Sequence, residues 1–134
     1  MTANELRIGN LVTIDNEVWA EYRGKPMSVT MIDTVIQMGD KDLFPDSTGT
    51  VNLMYGDIDF GQYDEFIQPI PLTDEWLVKF GFEKDGTWFT KSGFGISIDN
   101  LKWQMKGYIA TFDKCLYVHQ LQNLYFALTG QDLN

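Results

Sequence analysis

Residues that carry most protein chemistry are scarce in this sequence. Its 134 residues include one cysteine, Cys115, and one histidine, His119. A single cysteine excludes an intrachain disulfide, and a lone histidine lacks the companion groups that metal sites and acid–base catalysis need. The sequence also contains no phosphate-binding loop, zinc-protease helix, nucleophile elbow or paired-cysteine motif. We therefore expect a protein that is not an enzyme and that holds no metal and no cofactor.

Positive charge is also scarce. The chain carries 10 Lys or Arg against 19 Asp or Glu, a formal net charge of −9. Residues 1–72 hold 4 of the basic and 12 of the acidic residues (net −8), whereas residues 73–134 hold 6 and 7 (net −1). Binding to nucleic acids and to anionic membranes depends on Lys and Arg. We expect neither a nucleic-acid partner nor a membrane partner.

Long apolar runs are missing as well. No stretch approaches the roughly 18 apolar residues of a membrane span. The opening MTANELRIGN lacks the basic region and the following apolar region of a secretory signal. These features, together with the single cysteine, predict a cytoplasmic protein.

Strand-like segments dominate residues 1–70. NLVTI (10–14) and EVWAEY (17–22) are separated by Asp15-Asn16, a pair that tolerates a turn, and are predicted to form a hairpin. The pattern predicts a small, acidic antiparallel barrel or a strongly bent sheet. Its other predicted strands are MSVTMIDTVIQM (27–38) and TVNLMY (50–55).

Residues 71–134 combine helices with strands. Thr73 and Gly81 mark the beginning and the end of a short helix at 74–80. The turn signal Asp85-Gly86 and the short strand-like segments after it predict a β-meander. A C-terminal amphipathic helix follows, and Gly130 is placed to end it. The predicted fold class is therefore α+β.

The division at 70 has two interpretations. The pattern and the charge both change at QPIPLTDEW, which favours two domains, an acidic β-rich half at 1–70 and a mixed half at 71–134. A chain of this length can also form one compact domain.

The C-terminal helix has one broad apolar face. At about 100° per residue, this face contains Tyr117, Val118, Leu121, Leu124, Tyr125 and Leu128. His119 is predicted on the opposite face, where a surface or interface role is favoured over a catalytic one. The residues predicted to form a possible interface are His119, Gln122, Asn123 and Phe126. The alternative is a helix enclosed between the two halves and buried on both sides.

The segment YGDIDFGQYDEF (55–66) concentrates carboxylates, which are the ligands that Ca²⁺ prefers. Its acidic residues are Asp57, Asp59, Asp64 and Glu65. Their spacing does not match the calcium-loop pattern, because Phe60 takes the place of a third ligand. A solvated acidic loop is therefore favoured over a cation site, and cation binding by residues 40–66 stays open. For Cys115, a small buried side chain is favoured over a reactive thiol.

Three segments resemble known proteins: ELRIGNLV (5–12), PLTDEWLVKFGFE (71–83) and YVHQLQNLYFALTGQDL (117–133). They resemble an uncharacterised family of small proteins encoded by gut Bacteroidetes, frequently in prophage or mobile-element neighbourhoods. The last segment is the most specific of the three. The resemblance implies a cytoplasmic accessory protein of a bacterium or phage, and it supplies no activity and no catalytic residue.

Three functional hypotheses follow. The first is a non-enzymatic interaction module that binds a protein partner or a second copy of itself. The second is an acidic mimic or phage counter-defence factor that binds a basic protein surface, because charge of this size can steer association. The third is a small-ligand binder or enzyme that lines a pocket with some of the 19 aromatic side chains. The first is favoured, because the sequence contains no catalytic constellation.

Overall fold

The computed structural model describes residues 1–34, 42–112 and 116–133. The chain divides into two compact units, Met1–Ile70 (the N-terminal unit) and Pro71–Asn134 (the C-terminal unit). Each unit contains a five-stranded antiparallel sheet, and the C-terminal unit adds α-helices. The fold is α+β, as the sequence predicts.

The N-terminal unit is a curled sheet with the strand order β4-β3-β2-β1-β5. Its strands are β1 Leu11–Ile14, β2 Met27–Asp33, β3 Thr50–Tyr55, β4 Ile58–Tyr63 and β5 Ile67–Gln68. The apolar residues of β1 to β3 alternate with more exposed ones, so that one face of the sheet is buried. The core of this unit consists of Ala3, Leu6, Val12, Ile14, Met27, Val29, Val51, Leu53 and Ile67.

The predicted hairpin of 10–14 with 17–22 is wrong. β1 pairs with β2 and β5 instead, and Glu17–Tyr22 forms a 3-10 helix. The Asn16 side chain accepts a hydrogen bond from the backbone N–H of Val18 at 3.0 Å. An asparagine that bonds to the backbone two residues later favours a helical turn over a strand. Strand composition alone therefore gave the wrong structure for these residues.

The predicted strand at 27–38 is confirmed for Met27–Asp33, and residues 35–41 lie outside the described part of the chain. The strand predicted at 50–55 is confirmed as β3. Its partner β4, which pairs with it from Tyr55↔Ile58 to Thr50↔Tyr63, was not predicted. The hairpin turn between them contains Gly56 at a φ of +60°.

The C-terminal unit has the predicted order of helix, meander and helix. The helices are α1 Asp74–Lys79 and α2 Val118–Thr129. The strands follow one another in the sheet as β6 Glu83–Asp85, β7 Trp88–Lys91, β8 Phe94–Ser97, β9 Lys102–Met105 and β10 Tyr108–Thr111. Lys106 and Gly107 both have positive φ values, +51° and +84°, which is the geometry of a tight two-residue hairpin turn.

The helix α2 packs against β8 in the C-terminal unit. The ring of Tyr125 makes edge contacts with Phe94 at 5.7 Å and with Phe82 at 6.0 Å between centroids. Gly130 ends the helix with a φ of +73°, as predicted. No helix in the described ranges combines the length and the apolar character that crossing a membrane requires.

Candidate functional site

The structure corrects the predicted position of His119. Its side chain is 3% exposed, so the prediction that it lies on the outer face of α2 is wrong. The ring of Tyr117 stacks on the imidazole with 6.1 Å between centroids and 11° between planes. His119 is therefore part of the packed interior and is not accessible to a partner.

The buried face of α2 is rotated away from the predicted one. It contains Val118, His119, Leu121, Gln122 and Tyr125. Burial of Gln122 is possible because its Nε2 donates a hydrogen bond to the backbone oxygen of Leu133 at 3.0 Å. Leu124 and Leu128, both predicted in the core, are only half-buried.

The predicted interface set consequently does not form one exposed surface. His119 and Gln122 are buried, Asn123 is half-buried, and Phe126 is 41% exposed. Of these four residues, Phe126 alone is exposed.

The four carboxylates of 55–66 do not converge on one point. Asp57 lies in the turn before β4 and Asp59 lies on β4, and both are exposed. Asp64 is buried at the other end of that strand, next to half-buried Glu65. The interpretation of this segment as a loop is wrong, because half of it, Ile58–Tyr63, is the strand β4. Within the described residues, no group of three or more His, Cys, Asp or Glu is placed to hold a metal ion.

Asp64 instead joins three distant parts of the N-terminal unit. Its carboxylate accepts hydrogen bonds from the backbone N–H of Ala3 at 2.9 Å and of Thr48 at 2.8 Å. The hydroxyl of Thr48 donates a further, short hydrogen bond to the same carboxylate. The backbone N–H of Asp64 donates to the oxygen of Gly49 at 2.9 Å. We call Ala3, Thr48, Gly49 and Asp64 the Asp64 cluster.

The pKa of Asp64 reflects two opposed effects. Burial raises the pKa of the carboxyl, because it penalises the charged form, whereas the hydrogen bonds from Thr48 and Ala3 lower it. The balance holds the pKa below the ordinary value of an aspartate. The lowered pKa favours the ionised carboxylate, which is the form that accepts the hydrogen bonds from Ala3 and Thr48.

An aromatic row lies over the β3–β4 hairpin. It consists of Trp19, Tyr22, Tyr55 and Phe60. The indole of Trp19 stacks on Phe60 at 5.2 Å, and Tyr22 contacts both Phe60 at 5.3 Å and Tyr55 at 5.7 Å. At the Tyr55 end, the ammonium of Lys25 lies over the tyrosine ring, 5.4 Å from its centroid. This surface therefore already holds one cation against an aromatic ring.

A concave aromatic pocket of about 270 Å³ continues from the Trp19 end of this row. We call it the aromatic pocket, and its lining residues are Asn16, Val18, Trp19, Phe44, Gly61, Gln62, Tyr63 and Phe66. The ring of Phe44 stacks on Tyr63 at 4.0 Å and meets the edge of Phe66 at 6.0 Å. Asn16 Nδ2 donates to Gln62 Oε1 at 3.0 Å, which joins two polar side chains of the wall.

The rim of the aromatic pocket is open to solvent. Val18 is 82% exposed and Trp19 is 36% exposed. The lining residues come from the 3-10 helix of Glu17–Tyr22, from β4 and from the segments around Phe44 and Phe66. Sequence reasoning allowed for a pocket lined by aromatic residues but did not locate it, because it assigned 17–22 to a strand. The sequence signal that could have located it is Asn16. An asparagine side chain often accepts a hydrogen bond from the backbone N–H two residues later, as it does here from Val18, and this bond favours a helical turn at Trp19.

The C-terminal unit has a second concavity of about 420 Å³ between α1 and the β6–β7 hairpin. Its floor is Phe89, and exposed Val78 lies on its wall. The charged residues around it are of both signs: Asp74, Glu75, Lys79 and Lys84. Two acidic and two basic side chains give this groove no net charge, so it does not favour ligands of either sign. Cys115, for which a buried position was predicted, lies outside the described residues.

Comparison with known proteins adds no family to these geometric findings. The chain matches no protein-family model, no curated protein and no solved structure.

Proposed function

We propose that this chain is a non-enzymatic protein-interaction module, acting as a cytoplasmic accessory protein of a bacterium or its prophage. The observation that carries the proposal is the aromatic pocket of the N-terminal unit, where Trp19, Phe44, Tyr63 and Phe66 surround an open concavity of about 270 Å³. Trp and Tyr are enriched among the residues that dominate binding energy at interfaces, and such anchors favour central pockets.

The exposure of the pocket rim supports a macromolecular partner. Val18 is the most exposed large apolar side chain of the described residues, and it lies beside Trp19 on the same 3-10 helix. Exposed apolar surface next to a concave aromatic wall is typical of protein-binding sites. A single anchoring side chain of a partner, surrounded by flatter contacts, suits an opening of this size.

A second candidate, an acidic factor that binds a basic protein surface, is favoured by the charge of the same unit. Residues 1–70 contain 4 Lys or Arg and 12 Asp or Glu, a net charge of −8. A field of this sign raises the rate of encounter with basic surfaces. The two candidates involve the same unit and differ in the partner that they select.

Affinity capture with matched variants tests the proposal. The bait is the full chain, presented to a lysate of the organism that encodes it, and captured proteins are quantified by mass spectrometry. The double variant Val18→Ser, Trp19→Ser removes two apolar groups from the aromatic pocket. The control, Val78→Ser, removes an exposed valine from α1 in the other unit. Circular dichroism verifies that each bait is folded.

We expect a stoichiometric partner that wild type and Val78→Ser retain and that the double variant loses. Light scattering on the purified chain covers the case in which the partner is a second copy, with a dimer expected for wild type and a monomer for the double variant. A partner that all three baits retain equally, or a monomeric chain that captures nothing, would refute the proposal.

A further inference from the structure

The chemistry of the aromatic pocket specifies what it holds. Among the described residues that line it, four contribute aromatic rings and none carries a charge. The polar wall residues Asn16 and Gln62 bond to each other at 3.0 Å. Recognition in the pocket therefore depends on aromatic ring surface. An aromatic ring has a negative face, so a site of this type attracts either apolar groups or organic cations.

The charge of the N-terminal unit decides between these two ligand types. Its net charge is −8. Exposed Glu17 begins the 3-10 helix that carries Val18 and Trp19, and half-buried Glu65 directly precedes Phe66. Carboxylates close to an aromatic site raise the local concentration of cations without occupying the site. An apolar neutral group gains nothing from this field.

The aromatic row provides an internal precedent. The ammonium of Lys25 lies 5.4 Å from the centroid of the Tyr55 ring, and this ring connects through Tyr22 and Phe60 to Trp19. The same surface thus already stabilises a lysine ammonium at its far end. The aromatic pocket offers rings of the same kind, in a concave arrangement that encloses a ligand more completely.

We propose that the aromatic pocket binds the cationic end of an arginine or lysine side chain from a basic segment of a protein partner. This inference rests on the proposed function and deepens it by naming the anchoring group. The planar guanidinium of arginine stacks on aromatic faces better than an ammonium does, so arginine is the expected anchor.

The experiment compares two ligands that differ only in charge. One is a blocked tripeptide with arginine between two glycines, and the other has citrulline, the neutral isostere of arginine, at the same position. Binding to the full chain is followed by NMR through the indole N–H of Trp19 and the ring signals of Tyr63. The indoles of Trp76, Trp88 and Trp103 all belong to the C-terminal unit and serve as internal controls.

We expect a saturable shift of the Trp19 and Tyr63 signals with the arginine peptide, no shift of the control indoles, and binding of the citrulline peptide weaker by at least about threefold. Trp19→Phe keeps an aromatic face and should keep the preference for arginine. Trp19→Leu keeps an apolar side chain without that face and should lose the preference. If Trp19→Leu does not give the dispersed spectrum of a folded chain, Tyr63→Leu replaces it.

Equal affinity for the two peptides, absence of binding for both, or an unchanged preference in the leucine variant would overturn the inference. The proposed function is tested by a different result, the capture of a partner. A captured partner that is lost with Val18→Ser, Trp19→Ser supports the interaction module even if arginine and citrulline bind alike, and the anchor is then an apolar group.

Discussion

The carboxylate of Asp64 accepts a hydrogen bond from the backbone N–H of Ala3, 61 residues earlier in the chain, at 2.9 Å. Both residues are buried, at 1% exposure. The same carboxylate holds the backbone and the hydroxyl of Thr48. One acidic side chain therefore ties the beginning of the N-terminal unit to the segment before β3 and to the end of β4.

Asp64→Asn is expected to lower the free energy of unfolding by about 2–4 kcal/mol, because hydrogen bonds to a charged acceptor are lost and a buried donor meets an amide. Urea denaturation at neutral pH measures the change. The control is Asp59→Asn, which removes an exposed carboxylate from β4 and should change stability by less than about 0.5 kcal/mol. Equal effects of the two substitutions would show that the Asp64 cluster contributes no more than surface charge.

The lowered pKa of Asp64 predicts a pH dependence of defined sign. A carboxyl with a depressed pKa in the folded state contributes stability that is fully present above the ordinary aspartate pKa and is lost as the pH falls through the folded value. The difference in unfolding free energy between wild type and Asp64→Asn should therefore be constant from about pH 7 to about pH 5 and should shrink below about pH 4. Urea denaturation across this range measures it, and a difference that grows on acidification would contradict the assignment.

Gly49→Ala should destabilise the protein by more than about 2 kcal/mol. A Cβ at this position would overlap the backbone oxygen of Asp33 and lie 3.0 Å from the Cβ of Ala3. Gly61→Ala is the matched control, because its Cβ would meet only a side-chain oxygen of Asn52 at 3.4 Å, an ordinary contact. Neither glycine has a positive φ, so the comparison isolates the steric effect. Thermal denaturation of the two variants measures the difference. Similar melting temperatures for Gly49→Ala and Gly61→Ala would contradict the close approach of Gly49 to the backbone of Asp33.

Substitutions in α2 distinguish its observed core face from the face that hydropathy predicts. Leu121→Ala removes a fully buried side chain and should lower the unfolding free energy by about 2–5 kcal/mol. Leu124→Ala removes a half-buried one and should have less than half that effect. The two residues were predicted on the same face, so equal losses in urea denaturation would restore that prediction.

His119→Ala is expected to destabilise the protein by about 1–3 kcal/mol, because it empties a buried position beside Tyr117. The same substitution at an exposed position, where the helical periodicity places His119, would cost less than about 1 kcal/mol. Chemical denaturation of the purified variant decides between them. A loss of stability below about 1 kcal/mol would mean that the imidazole of His119 is not packed as the structure shows.

Local signals explain why the C-terminal unit is close to the sequence prediction. The helix α1 ends at Gly81, which has a φ of +87°, and Lys106 and Gly107 form a tight turn. Such stops and turns depend on residues that are neighbours in sequence, so the sequence identifies them directly. In the N-terminal unit, the same logic found β3, but it failed at Glu17–Tyr22, where the bond from Asn16 to Val18 outweighs strand composition.

The candidate site was beyond the reach of sequence patterns. The aromatic pocket combines residues 16–19 with Phe44 and with residues 61–66, which are joined only by the pairing of strands. Counting aromatic residues could not separate those that fill the core from those that line an opening. The buried face of α2 shows the same difficulty, because the hydrogen bond between Gln122 and Leu133 allows a polar residue to take a core position.

Local sequence features establish the α+β class, the order of helix and meander in residues 71–134, the helix stop at Gly130 and the concentration of negative charge in the first half. These properties depend on composition, on short-range backbone geometry and on periodicity, all of which are local. The burial of His119 and Asp64, the partners of β1 and the assembly of the aromatic pocket are visible only in the folded chain. Each of these depends on contacts between residues far apart in the chain, whose free energy is set by packing and by the satisfaction of buried polar groups.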